Sequence, residues 1–480
     1  MRHPYLVQFG PAKCAVDLGD GSERGEYVNQ DYILTRLGRP HRAINLMYCY
    51  YPNDEGWPLR ASVAHAHDAQ FAWDYPYDDY FPYTGGIGGD TEGPVFKQMR
   101  DVRRHGQDVC LTLTMDPYLS DEQIAGVAKD LRTFGRILVR INHEATGSWF
   151  SFNKRASYET VAAFFVRACN VFHREAPNAK IILCLDGCKE IGEEKMLMED
   201  IFTEAAKAAD IVSVDRYLAL HWGWPGNVCE DARSAADYPV DEIYRLAAKS
   251  FRRYTVMNDG VKKPMVMSEL NADGDVTGPF LQAEKMKRFC DFVKKDRRHW
   301  LSGFTMYQFR DRGRLGLEIE DPNNADNGIE QPLMGTYREI IHDPFFQPSK
   351  KKGKAVKLPV TLRYGGSEDC EGIAMPVDLE GAPVFFEAYF DGELADANLM
   401  LEVNDRWFYK APGVKCVDLA SAFFDGSVTG GEVTVTLIAP PASGENDLDA
   451  PEGMTNTYTT LTSLPRFRVR YAPILRADIF

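Results

Sequence analysis

The 480-residue chain carries 70 acidic against 55 basic residues, a formal charge of −15, with 44% hydrophobic and 26% charged residues. This is an ordinary globular balance, long enough for one large domain and a smaller one, and its negative exterior excludes a broad nucleic-acid surface. No apolar stretch approaches the roughly 20 residues that cross a bilayer, so neither nucleic acid nor membrane is an expected partner.

The start, MRHPYLVQFGPAKC, shows no apolar signal core and no small-residue cleavage site. That predicts a cytoplasmic protein, or a secreted one if a leader has been trimmed. From residue 42 to 310, short apolar runs alternate with amphipathic segments. The runs are RAINLMYCYY (from Arg42), QFAWDY (from Gln70), DVCLTLTMD (from Asp108), RILVRIN (from Arg136), KIILCLD (from Lys180), DIVSVDRY (from Asp210), PMVMSEL (from Pro264) and GFTMYQF (from Gly303). Most are apolar nearly throughout and rich in Val and Ile, as expected of parallel strands covered on both faces.

The segments between them repeat at helical spacing. Val161, Phe164, Phe165, Ala168, Val171 and Phe172 recur at three and four until Pro177. Ser120 and Gln123 have capping-box spacing, and Met286, Phe289, Cys290 and Val293 share one face. Eight strands alternating with helices predict a (β/α)8 TIM barrel. A doubly wound sheet is the competitor, but no glycine-rich phosphate turn follows the first run. The basic run SKKKGK (Ser349 to Lys354) reads as a solvated linker. Beyond it, runs such as LPVTLRY, PVFFEAYF and EVTVTLIAP predict an antiparallel β-sandwich. The expected domains are a barrel over residues 1–345, a linker over 346–356 and a sandwich over 357–480.

The ten cysteines are scattered, and Cys110 and Cys184 lie inside apolar runs, which predicts reduced buried thiols. Cys184 and Cys188 have no second pair to complete a zinc site, and the H-x-H pair His65 and His67 has no third ligand at a recognisable spacing, His41 being remote in sequence. No metal and no cofactor is expected. Neither a G-x-S-x-G elbow nor a Walker loop occurs.

In a barrel, chemistry gathers at the C-terminal ends of the strands. The fourth run ends in Asn142, His143 and Glu144, the sixth in Asp215, Arg216 and Tyr217, the seventh in Ser268, Glu269 and Leu270, and the eighth in Tyr307, Gln308, Phe309 and Arg310. Two carboxylates facing each other across a barrel mouth suit glycosidic cleavage: one protonates the leaving oxygen while the other attacks the anomeric carbon or activates water. Their roles need different pKa values, which Arg140, His143 and Tyr217 are placed to supply. Asp116 and Asp186 also end strands and read as structural groups. Tyr50, Tyr51 and Trp57 after the first run, the Tyr- and Asp-rich stretch from Phe71 to Gly86, and His221, Trp222 and Trp224 after the sixth are sugar-binding candidates.

RINHEATGSWF (Arg140 to Phe150) resembles the acid/base motif of glycoside hydrolase family 26, the β-mannanases, approximately R-P-x-H-E-x-N-G-x-W-F. Arg140, His143, Glu144, Gly147, Trp149 and Phe150 match in register. The resemblance implies a retaining (β/α)8 glycosidase with Glu144 as acid/base, Glu269 as nucleophile and Tyr217 as the nucleophile's hydrogen-bond partner. It also implies His143 touching the sugar and Trp149 stacking on it. The expected substrate-binding set is Arg140, His143, Trp149, Phe150, His221, Trp222, Trp224, Tyr307, Phe309 and Arg310.

The chain departs from the pattern at Ile141, Asn142 and Thr146, and it has Phe309 where the family has a tryptophan. The expected partner is therefore a carbohydrate: a mannan-like glycan, or a glucan, a xylan or an exo-cleaved mannoside for an enzyme of the same clan. A non-catalytic carbohydrate-binding protein is the rival from another class. Trp407 and Tyr409 are candidate sugar platforms on the sandwich. The oligomeric state stays open, a homodimer among the options.

Overall fold

The computed structural model describes residues 3–19, 27–61, 77, 80–222, 232–311, 313–324, 326–366, 369–441 and 457–471. Eight parallel strands close into a barrel in the order Ala15–Gly19, Ala43–Tyr50, Asp108–Met115, Ile137–Ile141, Ala179–Leu185, Ile211–His221, Met265–Ala272 and Gly303–Met306, the last pairing back to the first. Ala43–Tyr50, Asp108–Met115, Ile137–Ile141 and Met265–Ala272 are buried at every position, as strands enclosed on both faces must be.

The first barrel strand is not the expected one. Ala15–Gly19 fills that place, RAINLMYCYY becomes the second strand, and QFAWDY lies outside the described residues. A five-residue run with Asp17 at its centre gives a weak apolar signal. Asp17 is nonetheless 2% exposed, because Arg42 and the Ala43 backbone N–H satisfy its carboxylate. Strands three to eight stand where the runs place them.

The helical expectations hold. Ser120 and Gln123 form a reciprocal capping box at the start of Asp121–Leu131. Ser157 caps Tyr158–Glu175, which buries Val161, Phe164, Phe165, Ala168, Val171 and Phe172. No helix among the described residues is long and apolar enough to cross a membrane. The nine described cysteines are all free, so no disulfide ties the described elements together.

The C-terminal region is a sandwich of antiparallel sheets with its own core, including Ile373, Phe386, Leu399, Leu401, Val435 and Leu437. Two boundaries need correction. Residues 349–355, expected as linker, form the strand Ser349–Ala355. The strand Tyr5–Gly10, expected in the barrel domain, lies between it and Glu371–Leu379 in the six-stranded sheet of the sandwich. The lysines that suggested a linker suit an edge strand, where charge blocks further pairing. Lys352 also sits over the Tyr5 ring at 4.2 Å. The chain thus starts in the sandwich sheet before entering the barrel.

Trp407 and Tyr409 do not present sugar platforms. Trp407 is 7% exposed and packs on Phe9 at 6.1 Å between ring centroids. The Tyr409 ring lies 4.0 Å from that of His105, on the barrel. Trp407 N–H also donates to Gly38 O at 2.7 Å, and Asn398 Nδ2 to Arg104 O at 2.8 Å. The sandwich therefore docks on the barrel through these aromatics. Trp407→Ala is expected to destabilise the protein by about 3–5 kcal/mol through the cavity it leaves. Chemical denaturation measures this loss, and activity per folded molecule should stay unchanged because the site lies elsewhere.

Candidate active site

The fourth barrel strand delivers Arg140 into the interior and then turns sharply. Asn142 and Glu144 both adopt positive φ, 47° and 48°, a region non-glycine residues occupy only when their surroundings hold them there. The holding contacts are local. The Asn142 amide accepts from Met115 N at 2.6 Å and donates to Met115 O at 3.2 Å, clamping the third strand to the fourth. Gly147 N–H donates to Glu144 O at 2.8 Å, and Asn153 Nδ2 donates to Ala145 O at 3.2 Å. Asn142, a departure from the family pattern, thus acts as a clamp.

Gly147 is there for space. A Cβ would lie 2.4 Å from Cζ2 of Trp149, so only glycine lets the indole lie against this turn. In that position Trp149 Nε1 donates to Glu144 Oε2 at 2.9 Å.

Arg140 is the centre of the network. Its Nε donates to Thr112 Oγ1 at 2.8 Å, its Nη1 to both Asp215 oxygens at 3.1 and 3.0 Å, and its Nη2 to Glu269 Oε1 at 2.8 Å. Thr112 in turn donates to Asn45 Oδ1 at 2.8 Å. Arg140 thereby joins the third, fourth, sixth and seventh strands, and Thr112 ties in the second. Tyr217 donates to the other Glu269 oxygen, Oε2, at 2.5 Å. One carboxylate oxygen each from Glu144, Asp215 and Glu269 lies within 4.8 Å of the others. Such a donor set could also face a cation, but here the Arg140 guanidinium is the positive charge bonded to two of the three.

The charges are unequal by construction. Burial, together with the negative charges of Asp215, Glu269 and Asp186, holds Glu144 well above the ordinary carboxylate range, and the Trp149 bond pulls the other way. Burial and Glu269 push Asp215 up while Arg140 opposes them. Burial works against the charge of Arg140, and Asp215 and Glu269 more than restore it. Burial and the Arg140 charge keep His143 neutral, well below the usual imidazole value. Its 3.9 Å approach to Glu269 is therefore no ion pair. Burial and the Glu269 charge raise the Tyr217 hydroxyl, which keeps its proton.

Of the expected site residues, Arg140, His143, Glu144, Trp149, Tyr217 and Glu269 are brought together, with Tyr307 edge-on to Tyr217 at 5.8 Å. Three substrate-binding expectations need correction. Arg140 is 0% exposed with every side-chain nitrogen bonded to protein, so it positions carboxylates instead of touching sugar. Phe150 is buried beneath His143, 4.4 Å between centroids. Phe309 is 0% exposed and packs edge-on against Tyr32, and so offers no open face.

Arg310 is bound to Glu318, with Nε 2.6 Å from Oε1. His221 and the exposed Trp222 lie where the sixth strand runs on to pair with Ala235–Asp237, and among the described residues no hydrogen bond joins them to Glu144, Asp215 or Glu269. Trp224, His65 and His67 lie outside the described residues. Tyr50 and Tyr51 are buried in an aromatic cluster with Trp57.

Sequence reasoning left out Asp215 as a network member, along with Thr112 and Asn45, and named Tyr80 only within the stretch from Phe71 to Gly86. The Tyr80 hydroxyl lies 3.4 Å from His143 Nε2. Asp215 carried a signal, a carboxylate at a strand end two residues before Tyr217. Thr112 and Asn45 carried none.

No protein-family model matches the chain, and no curated protein matches it. Among solved structures it is similar to a GH26 beta-mannanase from Bacteroides ovatus, at 10% identity over 69% of this chain and 89% of that one, TM-score 0.40. It is similar to a glucosidase from Croceicoccus marinus, at 10% identity over 92% and 100%, TM-score 0.45. It is also similar to a GH51 arabinofuranosidase from Xanthomonas axonopodis pv. citri, at 13% identity over 92% and 98%, TM-score 0.44. All three neighbours are glycoside hydrolases by name.

Proposed function

We propose that the protein is a retaining glycoside hydrolase acting on a β-linked glycan, with Glu144 as acid/base and Glu269 as nucleophile. The observation that carries this reading is the carboxylate pair from the fourth and seventh strands, with oxygens within 4.8 Å. Such closeness supports direct attack, for which carboxyl groups stand about 5–5.5 Å apart, over inversion, for which they stand about 6.5–9.5 Å apart.

Glu144, held above the carboxylate range, passes its proton to the leaving glycosidic oxygen as a Glu269 oxygen bonds to the anomeric carbon. Glu144 then takes a proton from water, whose oxygen displaces Glu269 and regenerates both groups. Arg140 and Tyr217 orient the two oxygens of Glu269. His143 turns its Nε2 toward Glu269 at 3.9 Å and the Tyr80 hydroxyl at 3.4 Å, and so packs beside the nucleophile.

The Arg140–Phe150 motif points to a mannan-like glycan. The hidden face of Phe309 favours a second reading, a same-clan enzyme for another β-glycan, because the residue standing where the family has a tryptophan offers no open face here. Proton NMR of the first-formed product tests the mechanism. A β-linked substrate should release the β-anomer first, which then mutarotates, and initial release of the α-anomer would overturn the double displacement.

A further inference from the structure

We propose that Trp149 is a positioning residue for Glu144, fixing the carboxylate through its indole N–H, beyond any stacking on sugar. The inference rests on the reading of Glu144 as proton donor. Three observations converge on it. Trp149 Nε1 donates to Glu144 Oε2 at 2.9 Å, and no other side-chain bond to this carboxylate occurs among the described residues. The indole is seated on Gly147 so closely that a methyl group would displace it. The turn beneath is itself fixed, by Gly147 N–H to Glu144 O and by Asn153 to Ala145 O.

An indole N–H lies in the ring plane, so it fixes both the direction and the identity of the bonded oxygen. With Oε2 taken, Oε1 is left for the proton that the leaving group receives. A donor also favours the charged carboxylate. The contact therefore opposes the burial and neighbouring charges that raise Glu144, and keeps it from becoming too weak an acid.

The test compares wild type, Trp149→Phe and Gly147→Ala on mannotriose, cellotriose and xylotriose, using whichever the wild type cuts. Phenylalanine keeps an aromatic face and removes the N–H together with part of the ring, so the KM readout separates lost stacking area from the lost bond. Positioning predicts a fall in kcat of about tenfold, the loss of one hydrogen bond to a charged group, with KM nearly unchanged. The alkaline limb of the kcat/KM profile should move to higher pH, because Glu144 loses a bond that favours its ionised form. Gly147→Ala keeps the N–H but displaces the ring, and should move both quantities the same way.

A raised KM with kcat and the alkaline limb unchanged would make Trp149 a stacking platform alone and overturn the proposal, as would no change at all. The two readings fail separately. A Glu144→Gln variant as active as wild type sinks the proposed function, whereas an inactive Glu144→Gln beside an unaltered Trp149→Phe sinks only the positioning role.

Discussion

Arg140→Met is expected to destabilise the protein by about 3–5 kcal/mol, the usual result of removing one partner of a buried ion pair. Methionine nearly fills the volume, so a cavity is not the main cost. The cost comes from Asp215 and Glu269, 3% and 6% exposed, which would lose the cation that compensates their burial. Denaturant unfolding of the variant measures the loss. Asp215→Asn added to Arg140→Met should recover part of it, because one uncompensated charge is then gone. Arg140→Lys should not rescue, since an ammonium cannot reach Thr112, Asp215 and Glu269 in the fixed fork that a guanidinium presents. Unchanged stability in Arg140→Met would mean that the carboxylates find protons or solvent without it.

Glu144→Ala should lower kcat/KM on an oligosaccharide by about 10²–10⁴-fold, the range for loss of a general acid. With a dinitrophenyl glycoside the bond-breaking step should fall far less, because that leaving group departs without a proton. The pH dependence has a definite sign. The competent form of Glu144 holds its proton, so activity is present below its pKa and is lost as pH rises through it. Burial and the Asp215, Glu269 and Asp186 charges place that pKa well above the ordinary carboxylate range, and the alkaline limb should lie there too. In Glu144→Ala the limb should vanish. A limb that survives the substitution would belong to another group.

Much of this site is legible in the chain. Arg140, His143, Glu144 and Trp149 sit in one contiguous stretch, and strand ends mark Tyr217 and Glu269. Roles were harder to read than membership. Arg140 bonds residues 75 and 129 positions away, and nothing local says that its guanidinium turns inward. The resemblance implies sugar-binding roles for Phe150 and Phe309, yet packing against His143 and Tyr32 hides their faces. Trp407 and Tyr409 misled in the same way, because an aromatic pair that docks two domains has the same sequence as one that binds ligand. Asp17 hid the first strand, since a buried charge is readable only once its partner Arg42 is known. Tyr5–Gly10 pairs with residues some 340 positions later, a long-range register that periodicity does not encode.

The most direct test of the two-carboxylate account is hydrolysis of mannan, glucan and xylan oligosaccharides by wild type, Glu144→Gln and Glu269→Gln, each checked for folding. The account predicts that wild type cuts at least one of these glycans and that each single variant loses most of that activity. Variants that cut at the wild-type rate would contradict it and move the chemistry to other carboxylates. A wild type that binds a glycan without cutting any would make this barrel a carbohydrate-binding protein.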